Sequence, residues 1–212
     1  MTARRIAFWF DYASPYAYLA ASRIAALRDL RLPGAAIDWR PFLLGPIFQR
    51  RPQNPGPFQE VAPAERAYRW RDIERSSALY GIAWRRPERY PPNGLRAARL
   101  TLVAQDQGWG EACIRAVFRA AFGENRDIAD PAVLAAIVDA LGRDGADLIE
   151  RAQHDAVKRR LRDQVEAAMA AGIFGAPTLV LDDGEMFWGN DRLEQAFDWA
   201  AKPWFDKCET KE

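Results

Sequence analysis

The residue type best suited to chemistry is the serine at position 14, in the stretch FWFDYASPYAY from Phe8 to Tyr18. An apolar run from Ile6 to Phe10 reads as a short strand that stops at Asp11. Ser14-Pro15 then has the composition of a helix start, a hydroxyl N-cap followed by proline at the first helical position. At such a strand-to-helix corner the first backbone N–H groups lack intrahelical acceptors, and the helix dipole presents partial positive charge. An anion beside Ser14, a thiolate or a carboxylate, is stabilised there. On this stretch alone the hydroxyl could equally do no more than cap its helix. Asp11 at the same corner either tunes the local charge or bonds the backbone of the turn.

Other chemistries find little support. One histidine, His154, and no Cys/His cluster leave no ligand set for zinc. His154 falls in a charged helical pattern with Glu150, Arg151, Asp155 and Lys158, which reads as surface. Cys113 and Cys208 are far apart and form no CxxC, so a reducing, cytoplasmic setting is expected. Thirty Lys and Arg against 29 Asp and Glu give a net charge of +1, which makes no global electrostatic case for nucleic acid or a membrane surface. The opening MTARRIAFWFDYASP has too short an apolar run, broken by Asp11, for a signal peptide or a spanning helix. With 212 residues, 49% of them hydrophobic, the chain can bury a real core.

Stepping outward from the corner, Pro15 to Leu30 carries Leu19, Ile24, Leu27 and Leu30 among alanines, with Arg23, Arg28 and Asp29 on a polar side, and predicts an amphipathic helix. Pro33-Gly34 ends it, and Ala36 to Phe42 alternates as a strand. Strand, helix and strand at this spacing make a βαβ unit with parallel strands. Leu44 to Pro63 is rich in Pro, Gly, Gln and Asn and predicts a long loop, a length usually kept for function. Helical patterns follow over Ala64 to Tyr80, Gly94 to Gln107, Glu111 to Phe122, Pro131 to Leu141, and Asp147 to Ala171, the last closed by Gly172 as a C′ glycine. Pro177 to Leu181 and Glu185 to Trp188 flank an Asp-Gly turn and predict a hairpin. A last helix is expected over Arg192 to Ala201, with Asn190 or Asp191 as its N-cap. The order is βαβ, helices, ββα: an α/β, thioredoxin-like fold, residues 1–44 and 172–212, with a large inserted all-helical domain, residues 45–171.

In thioredoxin-like redox enzymes the first strand-to-helix turn carries CxxC, and the matching tetrapeptide here is Ser14-Pro15-Tyr16-Ala17. Without thiols this corner cannot perform disulfide chemistry. Gly175-Ala176-Pro177-Thr178 matches the proline that precedes the third strand in that fold. Together with FDYASPYAYLA (Phe10 to Ala20), RPFLLGPIF (Arg40 to Phe48), YRWRDIER (Tyr68 to Arg75) and GIFGAPTLVLDDGEMFWGNDRLE (Gly172 to Glu194), the chain resembles the 2-hydroxychromene-2-carboxylate isomerases. These form a branch of the DsbA-like thioredoxin superfamily close to the kappa-class glutathione transferases.

The resemblance implies an isomerase that interconverts 2-hydroxychromene-2-carboxylate and trans-o-hydroxybenzylidenepyruvate in aromatic catabolism. It implies glutathione as the cofactor, whose thiolate adds to a conjugated alkene so that the bond rotates before elimination. By the same resemblance Ser14 donates to that thiolate. A cis peptide bond is implied at Pro177, the Ala176 backbone pairs with the cysteinyl main chain, and Asn190 and Asp191 hold the γ-glutamyl end. Asn54 matches an asparagine near the reaction centre, although before Pro55 it also reads as a turn residue. Many relatives carry a lysine where Gln49-Arg50-Arg51 stands; Arg50 or Arg51 could take the substrate carboxylate in its place, with a different geometry. Residues 48 to 99 hold eleven arginines against five acids, either a solvated helical face or guidance for anionic substrates. Of Trp70, Trp84 and Trp188, only Trp188 adjoins the expected site; the other two read as core. A homodimer is a common family property. The competing readings are a kappa-class-like glutathione transferase and a thioredoxin-fold binding protein without catalysis.

Overall fold

The computed structural model describes residues 4–50 and 61–201. Strand β1 (Arg5–Phe10) leads into helix α1 (Pro15–Arg31), and β2 (Ala36–Pro41) returns parallel to β1, Phe8 opposite Trp39. After the helices, β3 (Thr178–Leu181) enters antiparallel to β1 on its other side, Phe8 opposite Leu179, and β4 (Met186–Trp188) pairs antiparallel with β3. The four-stranded sheet has the order β2-β1-β3-β4. It is the DsbA-like thioredoxin arrangement expected from the sequence.

Strand periodicity divides the core, because successive side chains point to opposite faces. Ile6, Phe8 and Phe10 are fully buried and join the large core that includes α1 and most of the helices. Ala7 and Trp9 face a smaller cluster of Phe42, Leu44, Ile47, Val165, Ala168 and Ile173. Between β2 and β3 the chain forms α2 (Leu44–Gln49), α3 (Pro63–Leu79), α4 (Leu95–Asp106), α5 (Gly110–Phe118), α6 (Pro131–Ala140), α7 (Gly145–Arg151) and α8 (Asp155–Ala170), and α9 (Leu193–Ala201) closes the described residues. Aromatic contacts carry the large core from the sheet into these helices: Phe118 lies 5.6 Å from Phe10 and 4.7 Å from Tyr12, and Phe122 lies 5.7 Å from Tyr18. Trp70 is buried and Trp84 is half-buried against Phe122, so both belong to packing.

Four local expectations need correction. Leu44 to Pro63 begins with helix α2, whose Pro46 falls in the first turn where a missing N–H costs nothing, while Leu44 and Ile47 are buried. The pattern over Glu111 to Phe122 ends as an α-helix at Phe118 and finishes as one π turn, Arg119–Gly123. The pattern over Asp147 to Ala171 is two helices, broken where Gln153 and His154 close short i→i+3 bonds to Glu150 and Arg151. Neither Asn190 nor Asp191 caps the last helix: a 3₁₀ turn, Asn190–Arg192, precedes it, and the Asn190 side chain is used elsewhere. Gly172 does act as C′, with φ +76 and both Schellman bonds made, its own N–H to Met169 O and that of Ile173 to Ala168 O. His154 is exposed.

Candidate active site

Ser14 has extended backbone (φ −98, ψ 113), and Pro15 follows at the first helical position. Its Oγ accepts the Ala17 N–H at 3.1 Å, so the hydroxyl caps α1. The same hydroxyl donates to the carbonyl of Ala176 at 2.9 Å, across 162 residues of sequence. The Ala176–Pro177 peptide bond is cis. Thus the N-terminus of α1 and the proline loop before β3 meet at Ser14, which is 6% exposed. The Ala176 N–H makes no hydrogen bond among the described residues.

Asp11 bonds the backbone of the turn, settling one of the two roles open to it. One carboxylate oxygen accepts from Ala13 N at 2.9 Å and the other from Leu44 N at 2.7 Å, tying the Ser14 corner to the start of α2. Burial pushes its pKa up to about 6, against the opposing pull of these two N–H donors. Tyr16, two residues after Ser14, donates its hydroxyl to Asp72 on α3 at 3.0 Å. Burial first, then the Asp72 charge, raises that phenol well above its usual range. The half-buried phenol of Tyr90 is raised by desolvation and then by the Asp11 and Tyr16 charges.

On the far side of the corner, Asn190 is 4% exposed and Asp191 is exposed, 3.7 Å from Arg192. Arg23, from the third turn of α1, sends one guanidinium nitrogen to Asn190 Oδ1 at 3.0 Å and another to the Glu194 carboxylate. Nothing in the sequence pairs these residues: Arg23 reads only as part of a polar helical stripe, and the contact spans 167 positions. Trp188 is 52% exposed and packs edge-on against Phe174 at 4.8 Å. A Cβ at Gly175 would collide with the Trp188 indole nitrogen, so glycine there lets the ring lie over the proline loop.

The structure therefore brings Ser14, Ala176 and Pro177 together. It sets Asn190 and Asp191 in the turn after β4, and Trp188 at the end of that strand. It does not join Arg50 to them. Arg50 is exposed, borders a recess of about 170 Å³ lined by Ile47, Met169, Gly172 and Ile173, and pairs with Glu166 at 3.1 Å. Asn54 and Arg51 lie outside the described residues. Among the described residues no group of three or more His, Cys, Asp or Glu side chains could hold a metal ion, and no helix is long and apolar enough to cross a membrane. Cys113 is a free, buried thiol pushed up to about 12 by desolvation.

Comparison with known proteins agrees with this fold. Residues 5–198 match the model of the DSBA-like thioredoxin domain. A 2-hydroxychromene-2-carboxylate isomerase of Sphingobium xenophagum is 32% identical over 192 residues, 90% of this chain and 95% of that protein. Glutathione S-transferase kappa 2 of Caenorhabditis elegans is 27% identical, covering 93% of this chain and 92% of its own. A solved structure of a 2-hydroxychromene-2-carboxylate isomerase superposes with a TM-score of 0.81 at 29% identity, over 91% of this chain and 92% of the other. The chain belongs to the DSBA-like thioredoxin family, in the branch that holds proteins named 2-hydroxychromene-2-carboxylate isomerase and kappa-class glutathione transferase.

Proposed function

We propose that the protein is a glutathione-dependent isomerase of the 2-hydroxychromene-2-carboxylate type. The observation that carries it is the 2.9 Å bond from Ser14 Oγ to Ala176 O, which sets a hydroxyl, in place of a cysteine, at a helix N-terminus against the cis-proline loop. The residues present fit the tripeptide: Ala176 offers an unengaged N–H and a carbonyl with a spare lone pair for a cysteinyl main chain, and Asn190 and Asp191 offer an amide and a carboxylate for a γ-glutamyl end. Glutathione held there would supply the thiolate nucleophile for reversible addition to a conjugated alkene.

The chain's residues make that thiolate available and hold the substrate. A free thiol has a pKa of about 8.5, and a helix N-terminus with a hydroxyl donor lowers it. Ser14 Oγ accepts the Ala17 N–H and carries one proton, now on Ala176 O, that it would donate to such a thiolate. Trp188, half-exposed over the proline loop, offers an apolar platform for an aromatic substrate. Arg50 takes the substrate carboxylate by exchanging Glu166, and because both partners are more than 60% exposed this exchange costs at most about 1 kcal/mol. The same reading assigns Asn54 to the substrate and divides the chain into a thioredoxin-like part (1–44, 172–212) and a helical insert (45–171).

The test is a spectroscopic isomerisation assay on 2-hydroxychromene-2-carboxylate, with and without glutathione, on the parent and on Ser14→Ala. The expected result is glutathione dependence and a fall of roughly 10- to 100-fold in the variant, the worth of one hydrogen bond to a charged atom. Equal rates in the two proteins would remove Ser14 from the mechanism. The kappa-class relative favours a second reading, a glutathione transferase. Stoichiometric consumption of glutathione with an aromatic halide, and no isomerisation, would select it.

A further inference from the structure

Arg23 lies outside every motif that points to the site, yet its guanidinium is largely covered and contacts three residues near it. Its side chain is 11% exposed, and its guanidinium carbon lies 3.6 Å from the centre of the Tyr80 ring at the end of α3. One Nη donates to Asn190 Oδ1 at 3.0 Å and, more weakly, to the Asn190 carbonyl at 3.4 Å, and the other meets Glu194. A single planar group thus ties the helix that Ser14 caps to the turn that carries Asn190 and Asp191.

Two consequences follow from this geometry. With Oδ1 held by the guanidinium, the Asn190 amide is fixed with its Nδ2 as the remaining group. That nitrogen has no partner among the described residues and is not sealed from solvent, although the residue is 4% exposed. A fixed, unpaired N–H donor in a buried side chain suits a carboxylate. The Glu194 carboxylate beside it, which would repel such a ligand, is neutralised by the same guanidinium.

We propose that Arg23 is a positioning residue that sets selectivity for a γ-glutamyl thiol, by fixing the Asn190 amide as a donor and cancelling Glu194. This rests on the glutathione reading above and goes beyond it by assigning the selectivity to a residue that touches neither the thiol nor the substrate. Removing the guanidinium frees the amide to rotate and exposes an unpaired carboxylate to the ligand's own carboxylate. A small thiol without the γ-glutamyl group meets neither change.

The experiment compares dissociation constants for glutathione and for cysteinylglycine, by calorimetry and competition, in the parent, Arg23→Met and Arg23→Lys. In Arg23→Met, glutathione affinity is expected to fall by about 10- to 100-fold while cysteinylglycine is unchanged, so the preference for the tripeptide collapses. Arg23→Lys keeps the positive charge near Glu194 and Tyr80 but cannot bridge both partners, and is expected to lose part of the preference. This second variant carries the test if the methionine variant does not fold. An unchanged preference in a folded variant, or equal losses for both thiols, overturns the assignment and leaves the glutathione reading standing. A parent protein that binds no glutathione overturns both.

Discussion

Replacing Asp11 with asparagine tests the electrostatics beneath the Ser14 corner. Asp11 is buried, and burial raises its pKa to about 6 from an ordinary 3.8, because desolvation outweighs the two N–H donors it accepts. A raised folded-state pKa means the native protein holds this proton more tightly than the unfolded chain. The contribution of Asp11 to stability is therefore greatest below pH 3.8 and is lost as pH rises to about 6. At about 1.4 kcal/mol per unit, the swing between pH 4 and pH 8 comes to about 2–3 kcal/mol. Asparagine cannot ionise, but it has one acceptor oxygen for two N–H groups, from Ala13 and Leu44, and leaves one of them facing its own NH₂. That costs about 1–3 kcal/mol, nearly independent of pH. Asp11→Asn should thus be less stable than the parent at pH 4 and should recover about 2–3 kcal/mol relative to it by pH 8. Urea unfolding of both proteins at the two pH values measures this directly, since the other acids are common to both and cancel. A stability difference that is the same at pH 4 and pH 8 would refute the reasoning, because it would mean that Asp11 titrates alike in the folded and unfolded chain.

Gly175→Ala should displace the Trp188 ring, costing about 1–3 kcal/mol and shifting tryptophan emission; unaltered emission and stability would show that the ring does not lie over the loop. Trp188→Ala, by contrast, removes a half-exposed ring and should change stability by less than about 1 kcal/mol while raising KM in the isomerisation assay that tests the proposed function. In a Cys208→Ser background, Cys113 should resist thiol reagents until the protein unfolds, since it is 0% exposed and its thiol is pushed up to about 12; prompt labelling of the native protein would contradict its burial.

What could be read from the sequence was what neighbouring residues decide among themselves. Ser14-Pro15 announces a capped helix because hydroxyl and proline act within one turn, and the Asp-Gly pair between Leu181 and Glu185 announces a hairpin for the same reason. The parallel β1–β2 pair follows from spacing alone. The misreadings arose where packing overrode local grammar. Gly45 and Pro46 look like loop residues, yet burial of Leu44 and Ile47 makes them a helical turn. A continuous alanine-rich pattern conceals the break at Ala152–His154, where the chain must redirect between α7 and α8. Of the candidate site, the sequence singles out Ser14 and the proline loop, which the fold brings into contact. It does not single out the grip of Arg23 on Asn190, because only the folded chain brings α1 against the turn after β4.

Strand β2 forms one margin of the sheet, and this placement bears on how the protein behaves when concentrated. A bare sheet margin is a template on which another molecule can lay its own strand. Here the Gln105 amide donates to the Trp39 carbonyl at 2.5 Å, Pro41 brings no N–H, and Asp38 and Arg40 pair at 2.6 Å along the same strand. Lateral growth of the sheet is thereby discouraged by a plug, a missing donor and a charged pair, which leaves self-association of native molecules to surfaces other than this margin.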